Sequence, residues 1–559
     1  MKLPGRSTGS PVHLPLALYR PLRRALPQIS GTGGRPASAG ITGAFQSGQV
    51  AARIRELVTC AQPLFPPGLV FAGSFLVYFL TAAPTLFGWD SAEFAATAYT
   101  LGVPHATGYP TFVLLGKLFT FLPIGDIAYR LNLMSAFFAA ATVTVVYLTS
   151  FFLTRRMILS VAAAGALAFS YFFWASAVVT EVYALHAFLN AATIYLLLLW
   201  RSGGRDRLLY AGIFAWGLSF GNHMTTVLMG PAVGFLVVMG IWERRITGRH
   251  LLPLAVCFLA PLTVYLYLPL RYLADAVPYV MSYYTADGEL VRTNPTTLQG
   301  MWEVITARQF AGFFRAHQGP QYIDQLGQLM FTVYANFLGA GLALGLLGII
   351  RNFLVDKGRL IFLGLIFLTT MLFFADYGAM DKYFMFVTGY IVWSIWIAEG
   401  FYLVFSRMES SWPDGWPARL RGASARRPRR VRWEALSLLL LVAALWVNFS
   451  YTNLSSFTHF QDTYPGIMES FEPNALVLAW WADVSPMQYY QQVEGLRPDI
   501  QLIDRWLISP ENEIELINSS LPHRPVYVFE GHIRHVPHPK IEVPYLRGSL
   551  ETGYRVIPP

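Results

Sequence analysis

The stretch GWDSAEFAATAYTLGVPHATGYPTF (residues 88–112) directly follows the first strongly apolar segment of the chain and decides how the rest is interpreted. It places Asp90, Glu93 and His105 among aromatic residues, small residues and two X-Pro steps. A carboxylate pair beside Phe87 and Trp89, at the end of an apolar segment, is costly unless it is used. The stretch therefore predicts a polar loop at the boundary of a membrane domain.

Composition supports the membrane assignment. Of 559 residues, 54% are hydrophobic and only 13% are charged, against about 25% charged in an ordinary soluble domain. The net charge of +9 comes from short basic clusters between apolar runs, a pattern that reports membrane topology and argues against a nucleic-acid partner. Two cysteines, Cys60 and Cys257, make a disulfide framework or a thiolate metal site implausible.

Apolar periodicity predicts a polytopic α-helical membrane protein with about eleven transmembrane helices. Each predicted span approaches the ~20 residues that cross a bilayer. The spans centre on 68–86, 130–152, 157–177, 182–200, 206–220, 225–242, 251–272, 328–350, 360–375, 384–406 and 434–449.

The loops between these spans predict the orientation. With the N-terminus in the cytoplasm, the cytoplasmic connections are all basic: 155–156, 201–207, 243–250, 351–359 and 406–432. The opposing short loops 179–183, 221–226 and 376–382 contain a single lysine. This asymmetry follows the positive-inside rule. We therefore expect the outer loops 87–129 and 273–327, and the segment from 450 onward, to be extracytoplasmic, in a bacterial plasma membrane.

The chain divides into three predicted regions. Residues 1–65 read as a disordered basic cytoplasmic tail, and residues 66–450 form the transmembrane domain. Residues 451–559 contain the short apolar runs ALVLAW (475–480), IQLID (500–504) and PVYVF (525–529), separated by polar segments of helical pattern. Such alternation predicts a small extracytoplasmic α/β domain.

The first outer loop carries the main candidate residues. A helix beginning near Ser91 would place Asp90 and Glu93 on one face. The same two residues also fit a helix-capping arrangement with no further role. His105 is a candidate ligand or acid/base, or a hydrogen-bonded loop histidine. The segment 109–125 is predicted to form an interfacial helix.

Further candidates lie at other outer boundaries. Arg130, Asn132 and Arg271 are placed to hold an anionic phosphate, although arginines at a boundary also snorkel. The remaining polar candidates lie in short outer loops: Glu181, Tyr183, His223, Asp381 and Lys382. We expect these loops to converge over the mouth of the bundle, where Tyr109 of the first outer loop is a further candidate. AWWADV (479–484) is interpreted as the end of a buried strand, and GLALGLLG (341–348) as a helix-packing motif.

Three motifs occur in order near the first outer loop: GWDSAEF (88–94), VPHATGYP (103–110) and RLNLMSAFFAA (130–140). They resemble a multi-spanning family of unknown function related to protein O-mannosyltransferases, within the GT-C glycosyltransferases. The resemblance continues through 174–188, 218–225 and 380–384. Two departures stand out. Ala106 and Thr107 replace a proline pair, and RTNP (292–295) lacks the Trp-Gly-Asp that often precedes it.

The resemblance implies a GT-C fold and a glycosyltransferase that takes its sugar from a polyprenyl-phosphate donor. Asp90 would be the base that deprotonates an acceptor hydroxyl on a protein, lipid or glycan, with inversion. Glu93 or Glu181 would position a substrate. Arg130, Arg271, His105 and Lys382 are implied to stabilise the departing phosphate.

The resemblance leaves the cofactor and the sugar open. Asp90, Glu93 and Glu181 could form an oxygen site for Mg or Mn, although no cofactor is required by the motifs. Mannose is suggested only by the relatives. A secondary transporter and a membrane assembly or receptor protein are the alternatives. The few ionisable residues within spans, His186 and Glu399 among them, disfavour a transporter.

Overall fold

The computed structural model describes residues 65–410, 433–531, 535–546 and 548–558. The predicted N-terminal tail and most of the loop 406–432 lie outside these residues. Helices make up most of the described chain. In chain order they are α1 (Phe65–Thr81), α2 (Asp90–Thr100), α3 (Pro110–Phe119), α4 (Ile127–Thr154), α5 (Met157–Ala168), α6 (Tyr171–Ala177), α7 (Val182–Arg201), α8 (Asp206–Phe220), α9 (Gly230–Trp242), α10 (Gly248–Leu262), α11 (Tyr267–Leu273), α12 (Leu298–Ile305), α13 (Pro320–Asn336), α14 (Ala340–Val355), α15 (Lys357–Asp376), α16 (Lys382–Met385), α17 (Val387–Ser410), α18 (Leu438–Thr452), α19 (His459–Ser470), α20 (Trp481–Val493) and α21 (Pro510–Ser520).

The chain is an integral membrane protein, and each of the eleven predicted spans coincides with a described helix or a bent pair of helices, although not all of them are long enough to cross a bilayer. Within the described ranges, seven helices are long and apolar enough to cross a bilayer, and nine if two bent pairs each count as one span. The bent pairs are α5 with α6, at 71°, and α13 with α14, at 106°. Helix α8 covers the predicted span 206–220 but has only 15 residues. Breaks and short helices, which hydropathy alone does not show, account for the difference.

The basic connections meet at one end of the bundle, here called the basic end. Arg201 binds the carboxylate of Asp356 through two hydrogen bonds of 2.6 and 2.7 Å. Arg245 donates to the carbonyls of Trp200 and Arg201. Three connections predicted to share one side of the membrane are therefore in contact. Which compartment this end faces stays a prediction.

Glycines allow the helices of the bundle to approach closely. Helix α14 lies against α17, and a Cβ at Gly348 or Gly400 would collide with the backbone of the opposite helix, at Trp396 or Leu344. Gly345 faces the indole of Trp393 in the same way. The predicted helix-packing role of 341–348 is confirmed. Small residues at such positions allow close van der Waals packing where lipid offers no hydrophobic gain.

The segment from His459 onward forms a sheet domain. Its strands are β3 (Leu476–Ala479), β4 (Gln501–Asp504), β5 (Val526–Glu530), β6 (Lys540–Glu542) and β7 (Thr552–Val556), in the order β4-β3-β5-β7-β6. β3 pairs in parallel with β4 and β5, and β7 runs antiparallel to β5 and β6. The three predicted apolar runs are confirmed as β3, β4 and β5, with α20 and α21 as crossovers.

The loop 273–327 is tied to this domain. Strands β1 (Ser282–Tyr284) and β2 (Leu290–Arg292) form an antiparallel hairpin, and the Tyr284 N–H donates to the Leu507 carbonyl at 2.8 Å. The backbone of Val103 bridges to Tyr279. Both outer loops and the sheet domain thus gather at one end of the bundle, here called the site end.

Candidate active site

Helix α2 presents its first turn to the site without using it for capping. Trp89 precedes the helix with φ at 61°, and its side chain makes no cap hydrogen bond. The Asp90 carboxylate accepts a hydrogen bond of 2.7 Å from the Trp481 indole N–H. The Glu93 carboxylate accepts from His105. The capping interpretation of this acidic pair is therefore wrong, because both carboxylates bind side chains from elsewhere in the fold.

Glu93 holds His105 at two points. Glu93 Oε2 lies 2.7 Å from His105 Nδ1, and Oε1 accepts from the His105 backbone N–H at 2.6 Å. On the far side of the ring, His105 Nε2 lies 2.9 Å from the Tyr109 hydroxyl, which donates to the Ala106 carbonyl at 3.2 Å. The imidazole is thus fixed by both of its nitrogens.

This geometry makes His105 a cation. Burial acts to lower its pKa, but the charge and hydrogen bond of Glu93, with smaller contributions from Asp90 and Asp381, raise the pKa to about 9. Burial raises the pKa of Glu93, although the charge of His105 opposes this change. At neutral pH His105 is therefore an imidazolium.

Two more carboxylates reach the same mouth from the loops between spans. Asp381 accepts a hydrogen bond of 2.7 Å from the Tyr183 hydroxyl. Glu181 precedes α7, and its Oε2 is buried with no hydrogen-bond partner among the described residues. Burial, and after it the charge of Asp90, raises the pKa of both Asp381 and Glu181. The structure therefore brings together acidic candidates from three separate loops.

His223 lies behind these residues. Its ring centroid is 6.0 Å from that of Tyr109, 5.8 Å from Tyr183 and 5.1 Å from His186. Burial, followed by the charge of His105, lowers the pKa of His223 to about 3. His223 is thus a neutral packing partner of two tyrosines that in turn contact His105 and Asp381.

Four other candidates bind loop atoms. Arg130 donates to the carbonyls of residues 120, 124 and 125, at the entrance to α4. Asn132 donates to the carbonyls of residues 83 and 85. Arg271 donates to the carbonyl of residue 101, and Lys382 Nζ to the side chain of residue 325 and the carbonyl of residue 377. These contacts hold the two boundary arginines against loop carbonyls; their predicted role in binding a phosphate stays a prediction.

The acidic group has ligand atoms spaced for a divalent cation. Asp90, Glu93 and His105 each place one within 4.8 Å of the others. Both oxygens of Glu93 and both nitrogens of His105 are engaged, however, in the contacts described above. Glu181, the third oxygen donor that the sequence predicted, is not part of this group, although its Oε2 has no hydrogen-bond partner among the described residues. A site for Mg or Mn stays a prediction.

The sheet domain contributes residues that the sequence analysis missed. Trp481 was placed at the end of a strand; the strand ends at Ala479, and Trp481 opens α20 and binds Asp90. Asp504 ends β4, and its Oδ2 is buried with no partner in the described chain. Burial and the charge of Glu93 raise the pKa of Asp504 to about 7. The sequence could have indicated both residues by their position at or just after the end of a predicted strand, because ligands of parallel sheets bind at the carboxyl ends of strands.

A cavity of about 630 Å³ opens beside the site. Its lining includes the apolar residues Leu372 and Phe373 at the end of α15, and the polar residues Arg315, His317 and Asp376. Tyr377 lines the cavity too, and burial together with the charge of Asp381 raises its pKa to about 12. The cavity therefore adjoins the acidic mouth and combines apolar surface with the guanidinium of Arg315 and the side chains of His317 and Asp376.

The fold is similar to the folds of two solved proteins. ArnT from Cupriavidus metallidurans, solved with bound undecaprenyl phosphate, superposes with a TM-score of 0.55 at 11% identity, covering 88% of this chain and 97% of that one. The Archaeoglobus fulgidus oligosaccharyltransferase, in complex with Zn and sulfate, gives a TM-score of 0.51 at 16% identity, covering 82% and 68%. The chain therefore has the GT-C fold of membrane glycosyltransferases.

Sequence comparison confirms the relationship that the motifs indicate. Residues 90–246 match the protein O-mannosyl-transferase TMEM260 N-terminal domain. The mouse protein O-mannosyl-transferase TMEM260 is 26% identical over 477 residues, 81% of this chain, and the Dictyostelium discoideum protein is 22% identical over 486 residues, 79% of this chain. The chain spans 64% and 57% of these two relatives. It is related to the TMEM260 proteins.

Proposed function

We propose that this chain is a membrane glycosyltransferase that moves a sugar from a polyprenyl-phosphate donor to an acceptor hydroxyl. The observation that carries the proposal is the convergence of Asp90 with the buried pair of Glu93 and His105 at one end of the bundle. The names of the relatives support sugar transfer, and the bound lipid of the ArnT structure supports the donor class.

Asp90 acts as the general base under this proposal. Its carboxylate takes the proton of the acceptor hydroxyl while that oxygen attacks the anomeric carbon. The bond from this carbon to the donor phosphate breaks, and the phosphate leaves with the electron pair. Attack opposite the leaving group inverts the anomeric configuration. Glu93 is already bound to His105 by both oxygens, so we give it the role of holding that ring.

His105 stabilises the phosphate as it leaves. Its ring is a cation fixed by Glu93 and Tyr109, and a preorganised charge stabilises a developing anion without reorganisation at the moment of reaction. If Asp90 and Glu181 hold a divalent ion, it would add positive charge against the same phosphate. The residue roles stated here do not depend on it.

The cavity beside the site suits the donor. Its Leu372 and Phe373 face would contact the first isoprenoid units, while Arg315 and His317 would hold the phosphate. Under this proposal the site end faces outwards in a bacterial plasma membrane, because basic connections occupy the opposite end. The sugar, with mannose first to be tested, and the acceptor, a protein or glycan hydroxyl, are open.

Purified protein in detergent, incubated with a panel of radiolabelled polyprenyl-phosphate sugars, tests the proposal. We expect wild-type protein to release the sugar from one donor, and Asp90→Asn to lower kcat by about 100- to 10,000-fold. Asp287→Asn makes the same chemical change on the exposed turn of the β1–β2 hairpin and should match wild type.

Two other results of this experiment would change or contradict the proposal. Equal turnover by Asp90→Asn would move the base to Glu181 or Asp381. Binding of no donor and turnover of none would contradict the proposal and favour a transporter or an assembly protein.

A further inference from the structure

The carboxyl edge of the sheet domain closes over the first outer helix. Helix α20 begins where β3 ends and packs on the alanine face of α2, at Ala92, Ala95 and Ala96. The Ser485 hydroxyl, one turn further along α20, donates to the Trp89 carbonyl at 2.9 Å. The start of α2, where the proposed base lies, is therefore held by an element from the far end of the chain.

Within this interface one contact reaches the proposed base itself. The indole N–H of Trp481 lies 2.7 Å from Asp90 Oδ1. An indole nitrogen can only donate a hydrogen bond, so the Asp90 carboxylate is the acceptor. A donor on one oxygen restricts the rotation of the carboxyl group. Hydrogen bonds to ionised groups are roughly twice as strong as those between neutral groups.

Nothing in the pattern of α20 requires a tryptophan here for packing alone. Trp481 is only partly buried, and its ring edge meets His105 at a centroid distance of 6.1 Å. Its neighbour Trp480 turns the other way and packs edge-on against Trp506 at 5.3 Å. Of the two adjacent indoles, one meets the proposed base and imidazolium, and the other meets the sheet.

We infer that Trp481 is a positioning residue of the active site, which orients the Asp90 carboxylate for proton transfer and makes the sheet domain part of the catalytic machinery. This inference rests on the proposed function of Asp90. It goes beyond that function by assigning a role to a residue outside the membrane domain. It also explains why the sheet domain packs on α2 with its carboxyl edge toward the bundle.

The test compares Trp481→Phe with Trp480→Phe in detergent, using the donor that wild-type protein turns over. Trp481→Phe keeps the ring and removes the N–H. We expect kcat to fall by about 10- to 100-fold, as for loss of one hydrogen bond to a charged group, with KM for the donor unchanged. Trp480→Phe should retain wild-type kcat. Trp481→His restores an N–H donor and should recover part of the loss.

Two comparisons separate positioning from packing. Positioning of Asp90 acts on the chemical step, so Trp481→Phe should lower kcat and leave the donor KM unchanged, and Trp481→His should recover part of kcat. Ser485→Ala, which loosens the same interface without touching Asp90, should lose less kcat than Trp481→Phe.

The outcomes separate a failure of this inference from a failure of the proposed function. Absence of turnover by wild-type protein, or full activity of Asp90→Asn, would remove the proposed function. If wild type is active and Asp90→Asn is not, the inference is overturned by either of two results. One is a wild-type kcat for Trp481→Phe; the other is an equal loss of kcat in Trp481→Phe, Trp481→His and Ser485→Ala.

Discussion

Replacing Glu93 by glutamine should change the charge of His105 while leaving the ring in place. The amide oxygen of glutamine can still accept a hydrogen bond from the ring, but the negative charge is lost. In wild-type protein the pKa of His105 stands at about 9 rather than 6.5, a difference of about 3 kcal/mol in favour of the protonated ring. Glu93 is the principal cause of the rise, and burial alone acts to lower the value.

The effect on kcat follows from the protonation state of His105 that the reaction requires. The protonated ring stabilises the leaving phosphate, so wild-type kcat should be retained up to about pH 9 and fall above it. In Glu93→Gln the fall should begin near pH 6.5 or below. At roughly pH 7.5 the variant ring is then at most about one-tenth protonated, and kcat should be lower by about tenfold or more.

Donor turnover measured from roughly pH 5 to 10, in wild type and Glu93→Gln, checks this expectation. Glu511→Gln, the same change on the exposed first turn of α21, is the control and should follow wild type. If kcat of Glu93→Gln still falls only near pH 9, the inference that Glu93 keeps His105 protonated is refuted. Recovery of the variant rate at low pH is expected, since His105 is then protonated without its partner.

Three further predictions concern the membrane domain and the cavity. Glu399→Gln leaves two buried arginine partners without their carboxylate and should destabilise the bundle by about 3–5 kcal/mol, seen as a lower Tm in detergent; an unchanged Tm would contradict this. Gly348→Val should destabilise the bundle by about 1–3 kcal/mol through collision with the backbone of Trp396, seen as a lower Tm; an unchanged Tm would contradict this. Arg315→Ala should raise the donor KM by about tenfold with little change in kcat; an unaffected KM would argue against a donor phosphate in the cavity.

Local pattern was sufficient to predict the secondary structure and part of the site. The strands β3, β4 and β5 follow from short β-branched runs between turn residues. Asp90, Glu93 and His105 lie within 16 residues of chain, and one short helix and one turn bring them together. Such contacts are available to sequence reasoning because few backbone arrangements connect the residues.

Contacts between distant segments were not predictable in this way. Nothing in the AWWADV segment indicates that Trp481 meets Asp90, because the approach depends on how the sheet domain docks. Arg130 is placed where a lipid phosphate would be plausible, yet a guanidinium has five donors and the turn before α4 offers three carbonyls that need partners. Hydropathy likewise counts apolar length and does not register the bend between α13 and α14.

The bond between Asp90 and Trp481 joins residues 391 positions apart in the chain. A ribosome that adds about 5–20 residues per second needs on the order of 20–80 s to go from one to the other. During that interval the first outer loop is already synthesised, but the alanine face of α2 has no α20 to cover it. The centre is thus assembled late in biogenesis, and a nascent chain in the membrane holds an incomplete centre until the sheet domain has folded onto it.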